Sequence, residues 1–280
     1  MGEFWELMKW PVLAALVMSP VHCLFGLHIV RRGVIFIDLA VAQMAALGMA
    51  IAVAKGHEVG SPQAYWLSLS FALGAALAIS LTRFKLGRVP HEAIIGIMFV
   101  LASALGIVVL DQSPHGLEEL KDTLSGSILL VPQEEVFKTM AVYGVIFVIS
   151  LLLWKRTSAI SLGQPDAPTG VMRTVLDFAF YGLLAFVVAS SVKIAGVLVV
   201  FTWLVMPPVI AFLWVEKMAK AMMIALPLAL LGSIGGLLMS YKYDWPTGPA
   251  IVVVFGTAVA ALYILKLFVP EQVELQKQSS

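Results

Sequence analysis

Long, unbroken runs of apolar residues divide the chain into nine segments, and short polar stretches separate them. A helix needs about 20 apolar residues to cross the roughly 30 Å hydrocarbon core of a bilayer. Because the runs are continuous rather than alternating, they predict helices and not the strands of a barrel. The expected membrane-spanning helices lie at roughly residues 10–30, 33–54, 62–82, 92–110, 134–154, 172–190, 193–214, 219–240 and 246–268.

The seventh run is the least regular of the nine. Only residues 190–192 separate it from the sixth run, and it contains Pro207 and Pro208. Since proline removes a helical hydrogen bond, a broken or re-entrant segment is an alternative that would leave eight crossings. No low-complexity linker or short repeat divides the chain, so we interpret residues 1–280 as one transmembrane domain with a polar tail at about 270–280.

The composition narrows the class of protein. The chain is 60% hydrophobic and 12% charged, whereas a soluble domain has roughly half apolar and about 25% charged residues. Its 18 Lys and Arg nearly balance 17 Asp and Glu, so no basic excess points to nucleic acid. With one cysteine, no internal disulfide can form. These properties exclude a soluble enzyme and leave an all-α polytopic membrane protein.

The basic residues are unevenly divided between two alternating sets of loops. Cytoplasmic loops carry the excess of Lys and Arg, which predicts an inner-membrane protein with its N-terminus outside and its C-terminus in the cytoplasm. A re-entrant seventh segment would reverse the last assignments. The richer set is Arg31, Arg32, Arg83, Lys85, Arg88, Lys155, Arg156, Arg173, Lys217, Lys220, Lys266 and Lys277, and the poorer set is Lys9, Lys55, Lys121, Lys138, Lys193 and Lys242.

The sequence motifs of membrane enzymes are missing. No G-x-x-x-x-G-K-[ST] sequence marks a nucleotide site, and no H-E-x-x-H, C-x-x-C or G-x-S-x-G sequence marks a protease or hydrolase. We therefore predict a chain that is not an enzyme, with no cofactor and no ATP site of its own. If the chain takes part in ATP-driven transport, a partner chain supplies the hydrolysis.

Four polar residues in the first two helices, His22, His28, Asp38 and Gln43, are the candidate contacts for a transported ion. Polar and ionisable groups inside a membrane are costly and mark functional sites by default. The two helices form a hairpin, so equal distances from the turn place His28 at the depth of Asp38. His22 falls at the depth of Gln43 in the same way. Imidazole with carboxylate or amide oxygen suits zinc, manganese or iron(II).

Structural roles are the alternative for these residues and for several others. His28 and Asp38 would then form a hydrogen-bonded pair, and His22 would bond to a backbone carbonyl. Asp177, early in the sixth run, is expected to cap its helix or form a salt bridge rather than contact cargo. Gly232 and Gly236 form a G-x-x-x-G pattern that permits close helix packing.

Five stretches, in order along the chain, together carry a resemblance to a known family. They are Val30–Gly33 with the helix that follows as far as Gly48, Glu92–Ile97, Leu124–Val131, Val192–Val199 with Pro207 and Ala211, and Asp244–Pro249. These stretches resemble the permease subunits of ATP-binding-cassette uptake systems for zinc, manganese and iron(II). The resemblance implies an all-α fold similar to a smaller version of the cobalamin and siderophore permeases.

The second helix departs from the family pattern. Many family members carry Asp and His four residues apart there as metal contacts, and counting from Gly48 these positions are Leu39 and Gln43. Asp38 lies one residue, or about 100°, around the helix from the first position. Two alternatives remain open: a metal path with different ligands, or a cargo that is a metal chelate or another small solute.

The resemblance also implies a mechanism and partners. Two copies of the chain would pack about a two-fold axis and alternate between outward and inward states. Cytoplasmic ATPase subunits would bind the inner loop 157–173, in which Leu162-Gly163 resembles part of the family's coupling segment. An extracytoplasmic substrate-binding protein would dock outside, near the loops of Lys121 and Asp244. The rival class is an ATP-independent channel or carrier, whose inverted repeats are not evident in the sequence.

Overall fold

The computed structural model describes residues 2–58, 61–82, 90–110, 126 and 128–268, so the stretch around Lys121 and the polar tail lie outside the described residues. Within these ranges, each of nine helices is long and apolar enough to cross a membrane, which confirms the predicted all-α fold. They are α1 (Gly2–Arg32), α2 (Ile37–Ala54), α3 (Pro62–Thr82), α4 (His91–Leu110), α5 (Gln133–Leu162), α6 (Gly170–Ala195), α7 (Val197–Trp214), α8 (Met218–Tyr243) and α9 (Thr247–Leu267), with a 3-10 turn at Ile128–Leu130.

Helix α1 lies at the centre of the bundle and is largely buried. It packs against α5, α7 and α8, while α2 packs against α3 and α4. Helix α6 contacts α2, α3 and α7 and so joins the two groups. The outer helix α4 instead presents large apolar side chains such as Leu101 and Val108 at the surface, which suits contact with lipid.

The fifth helix is longer than predicted, and the inner loop is correspondingly shorter. Helix α5 continues to Leu162 and α6 begins at Gly170, so the predicted loop 157–173 is reduced to residues 163–169. Lys and Arg form helix as readily as apolar residues do, so the polar residues after 154 end the hydrophobic run but not the helix. The helix ends at Gly163, whose φ of 63° is left-handed and favours glycine.

The break between the sixth and seventh helices falls at Gly196 rather than at residues 190–192. The hydroxyls of Ser190 and Ser191 donate to the carbonyls of Phe186 and Val187 one turn earlier, at 2.8 and 2.7 Å. Because these serines are satisfied within α6, they continue the helix instead of ending it. Helix α7 is then continuous with its two prolines inside it, so the broken-segment alternative is wrong.

Helices α8 and α9 approach closely at the two glycines of the G-x-x-x-G pattern. A Cβ at Gly236 would lie 2.5 Å from the Cα of Ile251, and one at Gly232 would overlap the ring of Phe255. The absence of a side chain on α8 therefore permits this contact, and the predicted close packing is confirmed.

Candidate functional site

A cavity of about 830 Å³ lies between α2, α3, α4, the 3-10 turn, the end of α6 and the start of α9. Small residues line most of the α2 and α4 walls, including Ala42, Ala46 and Ala102. Most of the residues that line the cavity are apolar, and a few are polar. Its polar lining consists of Gln43, Ser68, Ser103, Lys193, Asp244 and Thr247.

Four of the five stretches that carry the family resemblance line this cavity. They are the second helix before Gly48, the turn after Gly126, Val192-Lys193 and the sequence Asp244–Pro249. Gly48 permits the close approach of α2 and α3, because a Cβ there would lie 2.7 Å from the carbonyl oxygen of Leu67. Stretches remote in sequence therefore build one site.

The remaining family-like stretch, Glu92–Ile97, does not line the cavity but contacts the chain directly before α2. The backbone N–H of Ile35 donates to the Glu92 carboxylate at 3.1 Å. Glu92 thereby ties the turn between α1 and α2 to the start of α4.

Of the four residues predicted to contact a transported ion, Gln43 lines the cavity, where its side chain is half-buried. Lys193 and Asp244 also line the cavity but were not predicted as site residues. The Lys193 ammonium lies 4.8 Å from the centre of the Tyr65 ring on α3. Both residues fall within family-like stretches, which was the available signal in the sequence.

His22 and His28 are buried and engaged in hydrogen bonds away from the cavity lining. His22 Nδ1 donates to the Met18 carbonyl at 2.7 Å, and its Nε2 lies 2.9 Å from the Ser191 hydroxyl on α6. This confirms the predicted bond to a backbone carbonyl. His28 Nδ1 lies 3.1 Å from the Ser161 hydroxyl on α5.

Asp38 is buried at the start of α2, and its Oδ1 has no hydrogen-bond partner among the described residues. The predicted structural pair of His28 with Asp38 is wrong, because His28 bonds to Ser161 instead. The part of the chain that the structure describes contains no group of three or more His, Cys, Asp or Glu residues that could hold a metal ion. His22, His28 and Asp38 therefore do not come together as one set of metal ligands among the described residues.

A second polar cluster lies at the other end of α6, beside the loop 163–169. The Arg32 guanidinium donates to the Asp177 carboxylate at 2.7 Å, and neither side chain is exposed to solvent. The predicted salt bridge of Asp177 is therefore confirmed. Leu162, at the end of α5, is 39% exposed. Sixteen residues of α6 separate Asp177 from Lys193, or about 24 Å at 1.5 Å per residue.

A bundle of apolar helices, with a largely apolar cavity that has a few polar groups near one end and an exposed helix–loop junction at the other, is that of a multi-pass membrane protein. The model of the ABC 3 transport family matches residues 4–269, and the chain belongs to that family. The resemblance found in the sequence is therefore confirmed.

Relatives and a solved structure agree with this assignment. The manganese transport system membrane protein MntC of Halalkalibacterium halodurans is 25% identical over 92% of this chain and 86% of its own length. The chelated iron transport system membrane protein YfeC of Yersinia pestis is 28% identical over 71% and 70%. The structure of PsaBC from Streptococcus pneumoniae in complex with Fab has a TM-score of 0.76 at 20% identity, covering 99% of both chains. This last likeness concerns the fold.

Proposed function

We propose that the chain is the membrane-spanning subunit of an ATP-driven importer of divalent transition metal ions, with manganese, iron and zinc as candidate cargoes. The family match over residues 4–269 carries the proposal, and the names of relatives that transport manganese or chelated iron support it. The cavity is the proposed outer part of the path. Its position among family-like stretches supports that role.

The proposed complex contains two copies of this chain, two cytoplasmic ATPase subunits and an extracytoplasmic substrate-binding protein. The ATPase subunits bind the loop 163–169 together with Leu162-Gly163, and the exposure of Leu162 supports this. The binding protein docks near Asp244, at the cavity. The complex lies in the inner membrane with the N-terminus outside and the C-terminus in the cytoplasm, as the Lys and Arg distribution indicates.

Among the predicted metal contacts, Gln43 has the position that best suits the path, because it lines the cavity. Asp38 offers a carboxylate oxygen without a partner among the described residues. Both ring nitrogens of His22 are hydrogen-bonded, so His22 would have to give up its bond to Met18 or Ser191 before binding an ion. In His28 this applies to Nδ1, which is bonded to Ser161. A metal role for these four residues stays a prediction.

Affinity purification from the native host in mild detergent, followed by uptake assays in vesicles, tests the proposal. We expect a stoichiometric ATPase subunit to copurify and manganese(II) to accumulate only with ATP. Deletion of Leu162-Gly163 should abolish the coupling of hydrolysis to uptake. A homo-oligomer without an ATPase, or flux that needs no ATP, would indicate a channel or carrier instead.

A metal chelate or another small solute is the second candidate cargo. The cavity is far larger than a bare ion, and the Gln43 amide, the Lys193 ammonium and the single Asp244 carboxylate line it instead of a set of carboxylates and imidazoles. The Lys193 ammonium repels a bare dication and attracts an anionic chelate, whereas the Asp244 carboxylate acts in the opposite sense. Uptake of labelled metal in competition with free and with chelated metal distinguishes the two cargoes.

A further inference from the structure

We propose that Arg32 is a positioning residue for ATP coupling, which ties the end of α5 to α1 and α6 directly before the loop that binds the ATPase. This inference rests on the proposed function, and in particular on the role of residues 163–169 as the coupling loop. The contacts that support it come from three helices that are remote in sequence.

Arg32 is the last residue of α1, and its guanidinium joins two other helices. Its Nη1 donates to Asp177 Oδ1 on α6 at 2.7 Å, and its Nε donates to Ser161 Oγ on α5 at 2.9 Å. The guanidinium also lies 4.2 Å from the centre of the Phe180 ring on α6. A rigid, planar fork of donors suits such a three-helix junction better than a lysine ammonium, which acts as a point charge.

Ser161 is the point at which α1 contacts the end of α5. Its hydroxyl donates to the Thr157 carbonyl one turn earlier at 2.8 Å, so its oxygen accepts from Arg32. The same oxygen accepts from Nδ1 of His28 at 3.1 Å when that nitrogen carries the proton. Ser161 directly precedes Leu162 and lies two residues before the helix end at Gly163. Two side chains of α1, Arg32 and His28, therefore meet the last turn of α5 before the loop 163–169.

Movement of the loop is linked to the cavity through this junction. A displacement that pulls Ser161 away would leave the Nε donor of Arg32 unpaired in a buried site, which is unfavourable. The three helix ends are therefore expected to move together. Helix α6 then extends about 24 Å from Asp177 to Lys193 on the cavity wall, so a tilt of its inner end also moves that wall.

The test uses the whole complex, purified with its ATPase and reconstituted in proteoliposomes, with manganese(II) as the transported probe. The quantity measured is manganese taken up per ATP hydrolysed. Ser161→Ala removes the hydroxyl, Arg32→Lys keeps the charge but loses the fork, and Ser161→Thr keeps the hydroxyl. Ser150→Ala is the matched control, because Ser150 is a buried serine on the same helix whose hydroxyl has no partner among the described residues.

We expect Ser161→Ala and Arg32→Lys to lower the uptake per ATP about fivefold or more, the range of a coupling free energy between sites. ATP hydrolysis and copurification of the ATPase should persist in both. Ser161→Thr and Ser150→Ala should keep the wild-type ratio, since both retain the contact between α1 and α5.

Two results would overturn the inference. The first is that the wild-type complex shows ATP-driven uptake and that Ser161→Ala and Arg32→Lys take up as much manganese per ATP as it does. Arg32 would then have no positioning role in coupling. The second result is that both variants assemble poorly, but the complex that does assemble takes up as much manganese per ATP as the wild type. The contacts of Arg32 would then serve folding and not coupling. Failure of the proposed function is distinguishable, because the wild-type chain would then show no ATP-driven uptake at all.

Discussion

Arg32 and Asp177 form an ion pair in which neither side chain reaches solvent. Removing one partner of a buried pair leaves an uncompensated charge and costs about 3–5 kcal/mol. We therefore expect Asp177→Ala to lower the free energy of unfolding by about that amount, measured as a lower Tm of the detergent-solubilised protein. Asp166→Ala, in the exposed part of the loop, is the control and should leave the Tm unchanged. Equal Tm values for the two variants would contradict a stabilising role of the pair.

Two adjacent glycines on α8 provide a second matched comparison of single residues. A Cβ at Gly236 would lie 2.5 Å from the Cα of Ile251, whereas one at Gly235 would meet a side-chain methyl of Val254 at 3.4 Å. We expect Gly236→Ala to destabilise the protein by about 1–3 kcal/mol through overpacking. Gly235→Ala should be neutral or slightly stabilising because alanine favours helix. Thermal unfolding checks both, and a lower Tm for the second variant than for the first would contradict this packing.

The sequence predicted that Asp177 forms a salt bridge and that Gly236 permits close packing, because a buried carboxylate needs a partner and glycine has no side chain. It did not identify the partners, which are Arg32 on α1 and Ile251 on α9. The partner of His28 was not predictable, because Ser161 lies 133 residues further along the chain. The periodicity within a helix indicates which face is apolar, but not which distant helix covers it.

At the scale of elements, the end of α5 determines the start of the loop 163–169, the proposed contact of the ATPase. Gly163 ends the helix with a φ of 63°, and a Cβ there would meet no atom within 4 Å. A substitution therefore acts through the backbone alone, since a left-handed conformation costs most residues about 1–2 kcal/mol, while Asn adopts it more readily. We expect Gly163→Val to weaken ATPase binding and Gly163→Asn to retain it. The amount of ATPase that copurifies with each variant measures this, and equal losses in both would contradict a conformational role.

Among the described residues, the number of helices long enough to cross a membrane was predictable from the sequence, but several of their ends were not. The apolar runs correctly indicate the helices of the described chain, because a membrane span needs a minimum length of apolar residues. Six of the eight residues 155–162 are polar or small, yet the whole stretch is helical, and Ser190 bonds within its own helix. Hydrophobicity therefore locates the membrane along each helix, whereas a backbone feature such as the left-handed Gly163 locates the helix end.

At the scale of the whole molecule, α6 connects two polar regions of different character. At its start, Asp177 belongs to a buried cluster beside the exposed loop, and near its end Lys193 lines the cavity. The cavity was not predictable from the sequence because six separate elements contribute to it, namely α2, α3, α4, the 3-10 turn, α6 and α9. Four of the five family-like stretches nevertheless contribute residues to its lining, so the sequence indicated part of the cavity.

The cavity provides the last prediction, which concerns the cargo. Gln43 supplies an amide to an otherwise largely alanine-lined wall of α2. If this amide contacts cargo, Gln43→Leu should lower the rate of ATP-driven manganese(II) uptake about tenfold, or ~1.4 kcal/mol, because leucine offers no oxygen ligand. ATPase copurification should be unchanged. Gln63→Leu makes the same chemical change at an exposed position of α3 outside the cavity and should transport normally.

The same two variants distinguish a bare ion from a chelate. A chelate brings its own ligands to the metal, so its uptake depends on the size and charge of the cavity more than on one amide. If Gln43→Leu retains uptake of chelated metal but loses uptake of the free ion, the wild-type cavity accepts both cargoes and Gln43 provides the contact for the ion. If the variant transports free manganese(II) at the wild-type rate, Gln43 is not a cargo contact, and the Lys193 side of the cavity becomes the place to search for one.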